Sequence, residues 1–212
     1  KNWLDKMERR FGRYAIRNLT MYLLAGYAIG YLLSFTMPQL LTYFTLEPAL
    51  ILKGQVWRLL SWVIIPPNDN IIFVIFMMLL YYSLGNTLES YWGAFRYNVY
   101  IFSGILFTVI GAFIVNGLIG GITGFGSLYS TYYINMSIFL ACASIMPDYQ
   151  LLLYGIIPIK MKWLAVLDVV LLAVDAVQGG LIIRIVIIAS LLNFIIFFFC
   201  NCSVNKVTLI IT

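Results

Sequence analysis

Histidine is missing from all 212 residues. With it goes the commonest general base at neutral pH and the commonest metal ligand. A hydrolase that needs an imidazole to take the proton from its serine cannot be built from this chain. Charge is scarce too, at 10% of residues, where a soluble domain carries roughly 25%. Too few charges remain to face water over a folded surface, so a soluble globular domain is excluded. Only three cysteines occur, at Cys142, Cys200 and Cys202. A Cys-x-Cys pair without further ligands is a poor zinc site, since structural zinc takes four, and all three are expected unpaired. No segment repeats another, which argues against the duplicated halves of a transporter.

What is abundant is apolar. Hydrophobic residues make up 63% and the mean hydropathy is +0.97. A bilayer span takes about 20 mainly apolar residues. Six segments come near that: Ala15–Met37, Ile71–Glu89, Phe95–Gly117, Leu128–Met146, Trp163–Gln178 and Leu181–Cys200. Leu151–Ile159 is apolar but short and reads as an interfacial or re-entrant connector. With a cytoplasmic N-terminus and six spans, ten basic residues fall inside (Lys1, Lys6, Arg9, Arg10, Arg13, Arg17, Arg96, Lys160, Lys162, Lys206) and three outside (Lys53, Arg58, Arg184), summing to the 13 present. That is the bias the positive-inside rule asks for. Both termini are expected in the cytoplasm. The net charge of +5 therefore speaks of topology, and nucleic acid is not an expected partner. Residues 1–14 read as a basic cytoplasmic segment, 15–200 as one all-α, six-helix membrane domain, and 201–212 as a tail too short to span again.

Lys1–Arg17 is too basic and polar for a secretory leader. Trp3, Leu4, Met7, Phe11 and Tyr14 alternate with charges there. The stretch is either an amphipathic helix on the anionic leaflet or a solvated flank that sets orientation. Gly26-x-x-x-Gly30 is expected to seat a helix crossing, and Asn98, Asn116, Asn135 and Asn193 to hydrogen-bond between helices. The run Gly117–Gly126 lacks the lysine of a phosphate cradle and reads as a flexible loop. Met77, Met78 and Phe197–Phe199 read as core or lipid-facing. No cofactor is indicated.

The connection from Pro38 to Asn70 is long and not polar. It holds Gly54-Gln55-Val56-Trp57-Arg58-Leu59, then Trp62 and Pro66-Pro67. An irregular segment at a lipid surface must satisfy its own backbone, and Arg58 offers five donors for loop carbonyls. Trp57 and Trp62 suit the membrane interface. A second stretch runs from Leu84-Gly85-Asn86-Thr87-Leu88-Glu89 through Gly93 to Arg96. Glu89 and Arg96 flank a turn at Gly93, where each is expected to neutralise the other. Together these elements resemble the rhomboid superfamily: G-x-x-W-R in the first loop, then G-x-x-L-E-x-x-x-G-x-x-R. Ile157-Pro158-Ile159-Lys160-Met161-Lys162-Trp163-Leu164 is similar to the connector before the fifth rhomboid span. The resemblance covers about Gly54 to Leu164 and implies a six-helix bundle with an interfacial first loop. Trp57, Arg58, Glu89, Gly93 and Arg96 would be its scaffold.

Active rhomboids carry G-x-S-G at the start of the fourth span and a histidine in the sixth. Here the fourth opens Leu128-Tyr129-Ser130-Thr131-Tyr132-Tyr133-Ile134-Asn135-Met136-Ser137. Tyr132 and Tyr133 stand where glycines would leave room for a peptide, and Ser130, Thr131 and Ser137 have no visible base. No catalytic residue and no metal ligand is expected. The resemblance implies an inactive, derlin-like relative whose partners are the bilayer and transmembrane segments of client proteins. Two alternatives are an enzyme with an unconventional nucleophile such as Ser137, and a small transporter using Asp168 and Asp175. Those carboxylates lie seven apart on one helix face. The favoured expectation is structural: Asp168 accepting hydrogen bonds from Tyr or Asn, and Asp175 pairing with Arg184. With Asn193 they are the candidate intramembrane polar positions.

Overall fold

The computed structural model describes residues 3–66, 71–153 and 157–211, with the side chains at 3, 71, 73, 151–153, 157 and 199–211 left aside. Expectations for Trp3, Pro67, Phe199, Cys200, Cys202 and Lys206 therefore fall outside the described side chains.

Ten helices occur among the described residues. They are α1 (Trp3–Phe11), α2 (Leu19–Thr36), α3 (Pro38–Leu41), α4 (Pro48–Ile51), α5 (Arg58–Ser61), α6 (Ile71–Trp92), α7 (Ala94–Leu118), α8 (Tyr132–Ile145), α9 (Met161–Gln178) and α10 (Leu181–Ile211). A two-stranded antiparallel ribbon, β1 (Gln150–Leu153) with β2 (Ile157–Lys160), stands between α8 and α9. The short apolar stretch there is thus a hairpin, with Gln150 opposite Lys160. Lys160 and Lys162 both approach Asp148 at its base, at 3.6 and 3.1 Å. Hydrogen bonding and charge from Lys162 hold the Asp148 carboxyl below its ordinary pKa.

The ends of the long helices follow their residues. Asn18 enters α2 in the left-handed region, at φ 55°, and Met37-Pro38 closes it, since the residue before proline leaves the helical region. Between α6 and α7 the chain turns at Gly93, where φ is +86° and a side chain would be strained. Met146-Pro147 closes α8. Beyond Leu181 neither proline nor glycine interrupts the sequence, so α10 continues past the polar break at Asn201 to Ile211. The expected tail is a helical extension.

Among the described residues three helices are long and apolar enough to cross a membrane: Leu19–Thr36, Ala94–Leu118 and Leu181–Phe198. The expected count of six spans is met by three on that measure. Helix α8 has only 14 residues, which rise about 21 Å against a hydrocarbon core of about 30 Å. Helix α9 carries Lys162, Asp168 and Asp175.

Helix α7 is central, packing along α10 and also against α6 and α1. Its buried Tyr97, Tyr100 and Ile101 face inward. Trp92, Tyr100 and Phe197 stack on one another with ring centres 5.0–5.4 Å apart and tie α6, α7 and α10 together. The outer surface is apolar, for example Leu32, Leu79, Ile114 and Val177. Lipid solvates such a surface and water does not.

Gly26 and Gly30 do not seat a helix. A Cβ at Gly30 would strike the carbonyl of Ile64, so the pair receives the turn Trp62–Ile64 of the first loop. A loop backbone can approach a helix this closely only where no side chain intervenes.

Candidate functional site

The first loop is organised by Arg58, which is 3% exposed. Its Nε donates to Gln55 Oε1 at 2.6 Å, and one terminal nitrogen donates to the carbonyls of Thr42 and Thr45, both at 2.9 Å. A buried guanidinium is tolerable because carbonyls absorb its donors. Trp57 is half exposed and donates its indole N–H to the Tyr43 carbonyl. Trp62 is fully buried and bonds the Leu59 carbonyl. It is therefore a core residue and not an interfacial one.

Glu47 completes the loop and was not legible beforehand. It is buried, and its Oε1 accepts the backbone N–H groups of Gly124 (3.0 Å) and Gly126 (2.8 Å). The glycine run is thus pinned, not free. The only hint in the sequence was an acidic residue inside an apolar stretch.

At the end of the bundle bearing the N-terminus, the expected pair of Glu89 with Arg96 does not form. Arg96 instead reaches Asp5 (2.8 Å) and Glu8 (3.0 Å) of α1. Glu89 Oε1 accepts the backbone N–H of Asn18 at 2.8 Å, while its Oε2 is buried without a partner among the described residues. The turn at Gly93 sends the two side chains to different neighbours. Helix α1 is amphipathic, as one reading held, but it docks on the protein: Leu4 is 1% exposed and the helix packs against α7.

The candidate hydroxyls in α8 and just before it are occupied or enclosed. Ser137 Oγ donates to the Ile134 carbonyl (2.7 Å), and the Ser137 carbonyl accepts from Tyr100. Ser130 Oγ accepts the Tyr132 N–H, and Thr131 is buried beside Tyr27. Asn193 bridges two helices. Its Oδ1 accepts from Ser103 (2.6 Å) and its Nδ2 donates to the Tyr100 carbonyl (3.0 Å), joining α10 to α7. Asn135 reaches Tyr27. Asn98 departs from expectation, because its Oδ1 is buried without a partner among the described residues.

Asp168 departs most. It is 7% exposed and its Oδ2 has no hydrogen-bond partner among the described residues, neither Tyr nor Asn. It stands in a cavity of about 300 Å³ walled by Met77, Leu80 and Tyr81 of α6, Tyr132, Met136 and Phe139 of α8, and Leu164 of α9. Helix α9 packs on α8 and α10 but scarcely meets α6, and the exposed Leu167 and Leu171 form the lip. The expected pair of Asp175 with Arg184 is absent as well. Arg184 donates to the carbonyls of Ala176 and Val177, capping the end of α9 where acceptors are left over. Asp175 lies instead beside Tyr132 and Tyr133.

The structure therefore gathers Asp168, Tyr81 and Tyr132 at one apolar cleft. It keeps Asn193 apart in the α7–α10 seam and Glu89 apart from Arg96. Tyr81 gave no signal in the sequence, because it is one of 15 tyrosines in the chain.

A family model described as eukaryotic integral membrane protein (DUF1751) matches residues 17–204. No curated protein and no solved structure matches.

Proposed function

The chain belongs to the eukaryotic integral membrane protein family DUF1751, and on that premise we propose that it is a non-catalytic, rhomboid-like protein that holds transmembrane segments of client proteins at the Asp168 cleft. The observation that carries this is a buried carboxylate oxygen, without a partner among the described residues, in a lateral apolar cavity. An ionisable group inside a membrane is costly, and acyl chains have no donor to offer it. A client helix bearing a hydroxyl, amide or cationic side chain supplies one. A cavity of about 300 Å³ receives such a side chain and not a whole helix, so the client packs against α6 and α9 and inserts one residue.

The non-catalytic reading is supported by the missing histidine and by Ser137, whose hydroxyl is bonded within its own helix. The rhomboid-like reading rests on the first-loop motif and on the motif that runs from α6 through the turn at Gly93 into α7. In it α2, α6, α7, α8, α9 and α10 are six spans, and the ten-to-three charge bias puts both termini in the cytoplasm.

Photocrosslinking tests the cleft. A benzophenone amino acid at Leu167, on the lip, is compared with one at Ile188, exposed on α10. The expected outcome in native membranes is crosslinks from position 167 to transmembrane segments with a polar residue, lost on Asp168→Leu. Equal capture at both positions, or capture indifferent to Asp168→Leu, refutes it. A fluorophosphonate probe is expected to leave the protein unlabelled. Proteoliposome flux abolished by Asp168→Asn would move the assignment to a transporter.

A further inference from the structure

Arg96 takes both acidic residues of α1, Asp5 and Glu8. That leaves the basic edge of the N-terminal segment uncompensated. Among the described residues neither Arg10 nor Arg13 has a carboxylate partner, and Arg17 lies apart beside Glu89. The two free guanidiniums are nevertheless held in place. Arg10 stacks on the Phe11 ring at 5.5 Å and Arg13 on the Tyr14 ring at 4.7 Å, with a hydrogen bond to the Tyr14 hydroxyl.

Phe11 and Tyr14 are also the upper wall of a groove of about 360 Å³. Its floor is the stripe Phe95, Val99, Phe102 and Leu106 of α7, spaced as one helix face. Eleven residues of helix rise about 16 Å, close to half of a hydrocarbon core of about 30 Å. The stripe is thus about as long as one leaflet is deep, and it starts at the end that carries the arginines. Part-way down, Asn98 is 5% exposed. It is among the residues that line the groove, one turn below the start of α7.

We infer that this groove is a binding site for an anionic glycerophospholipid. One acyl chain lies on the α7 stripe, and the phosphate sits between Arg10 and Arg13. A phosphate suits guanidinium donors in a planar fork. The chain needs an apolar trough open to the bilayer, and the trough ends where the cations are. The site shares no residue with the Asp168 cleft, so either can fail without the other.

Native mass spectrometry of the full chain in detergent tests it, with palmitoyl-oleoyl phosphatidic acid, palmitoyl-oleoyl phosphatidylcholine and glycerol phosphate as probes. The expected result is one tightly retained phosphatidic acid, weaker phosphatidylcholine and no retained glycerol phosphate. Arg10→Gln and Arg13→Gln each lower phosphatidic acid affinity about fivefold, as a cation near a lipid phosphate should. Both side chains are at the surface, so neither change threatens the fold. Leu106→Trp, at an exposed position on the floor, blocks the trough and weakens both lipids at unchanged melting temperature. Equal retention of the two lipids, affinity indifferent to the arginines, or no effect of Leu106→Trp overturns the site. Glycerol phosphate binding as tightly as the lipid also overturns it, because the groove would then play no part.

Discussion

Replacing Glu47 probes how the first loop and the glycine run hold each other. Its Oε1 accepts two backbone N–H groups, from Gly124 and Gly126, and the two bonds are not equivalent. Gly124 is exposed, so water can replace the carboxylate, and the loss there is about 0.5–1.5 kcal/mol. Gly126 is buried, so its N–H is left unsatisfied and loses a charge-assisted bond at about 1.5–3 kcal/mol. Glu47→Ala is therefore expected to cost about 2–4.5 kcal/mol. Glu47→Gln keeps an oxygen in place and gives up only the charge, costing about 1 kcal/mol. Gly126→Ala attacks the same contact from the other side. A Cβ there would lie 2.8 Å from Glu47 Cγ and Oε1 and 2.9 Å from Thr45 Cβ. Once Glu47 is Ala most of that collision is gone, so the double variant is expected to lose less than the sum of the singles. Reversible SDS unfolding in mixed micelles, followed by tryptophan fluorescence, gives the free energies. Limited proteolysis between residues 117 and 126 should quicken in Glu47→Ala. If Glu47→Gln is as damaging as Glu47→Ala, or if the double variant is strictly additive, the carboxylate does not pin this loop.

Arg96→Leu should free α1 and speed tryptic cleavage at Arg9 and Arg10. Because Asp5 and Glu8 are 30% and 37% exposed, the cost is about 1 kcal/mol or less and high salt should mimic it. Glu89→Gln added to Arg96→Leu is expected to recover nothing, and recovery would restore the pairing that the geometry denies. Asp168→Leu should raise the detergent melting temperature while removing client crosslinks, since it exchanges an unsatisfied buried carboxylate for an apolar side chain. A fall in melting temperature would mean that Asp168 has a structural partner. The Asp148 carboxyl lies below its ordinary pKa, so the stability it adds to the hairpin base is present above the ordinary carboxylate range and is lost as pH falls through the lowered value. Lys162→Ala should bring the Asp148 titration back up, read by carbon NMR of its side chain, and an unchanged titration would discount Lys162 as the cause.

Much of the frame was legible from residue type alone. The solvent follows from composition, because 10% charged residues cannot hydrate a surface. The helices follow from apolar runs ended by Met37-Pro38, Gly93 and Met146-Pro147, which act on their own backbone. Arg58 could be read as a loop anchor, since a guanidinium in an apolar loop must find acceptors and carbonyls are the ones within reach. What could not be read was which distant group meets which. Glu89 and Arg96 are neighbours in sequence, yet Arg96 finds Asp5, 91 residues away, because the turn at Gly93 points the two apart and α1 folds back over α7. Gly26 and Gly30 offer a gap that either a helix or a loop could fill, and the short path from α5 put the Trp62–Ile64 turn there. Glu47 meets the glycine run only once two loops converge at one end of the bundle. Asp168 carries a charge that any sequence reading would try to satisfy. It is left unpartnered because α9 leans on α8 and α10 and away from α6, and helix placement of that kind is a property of the packed whole.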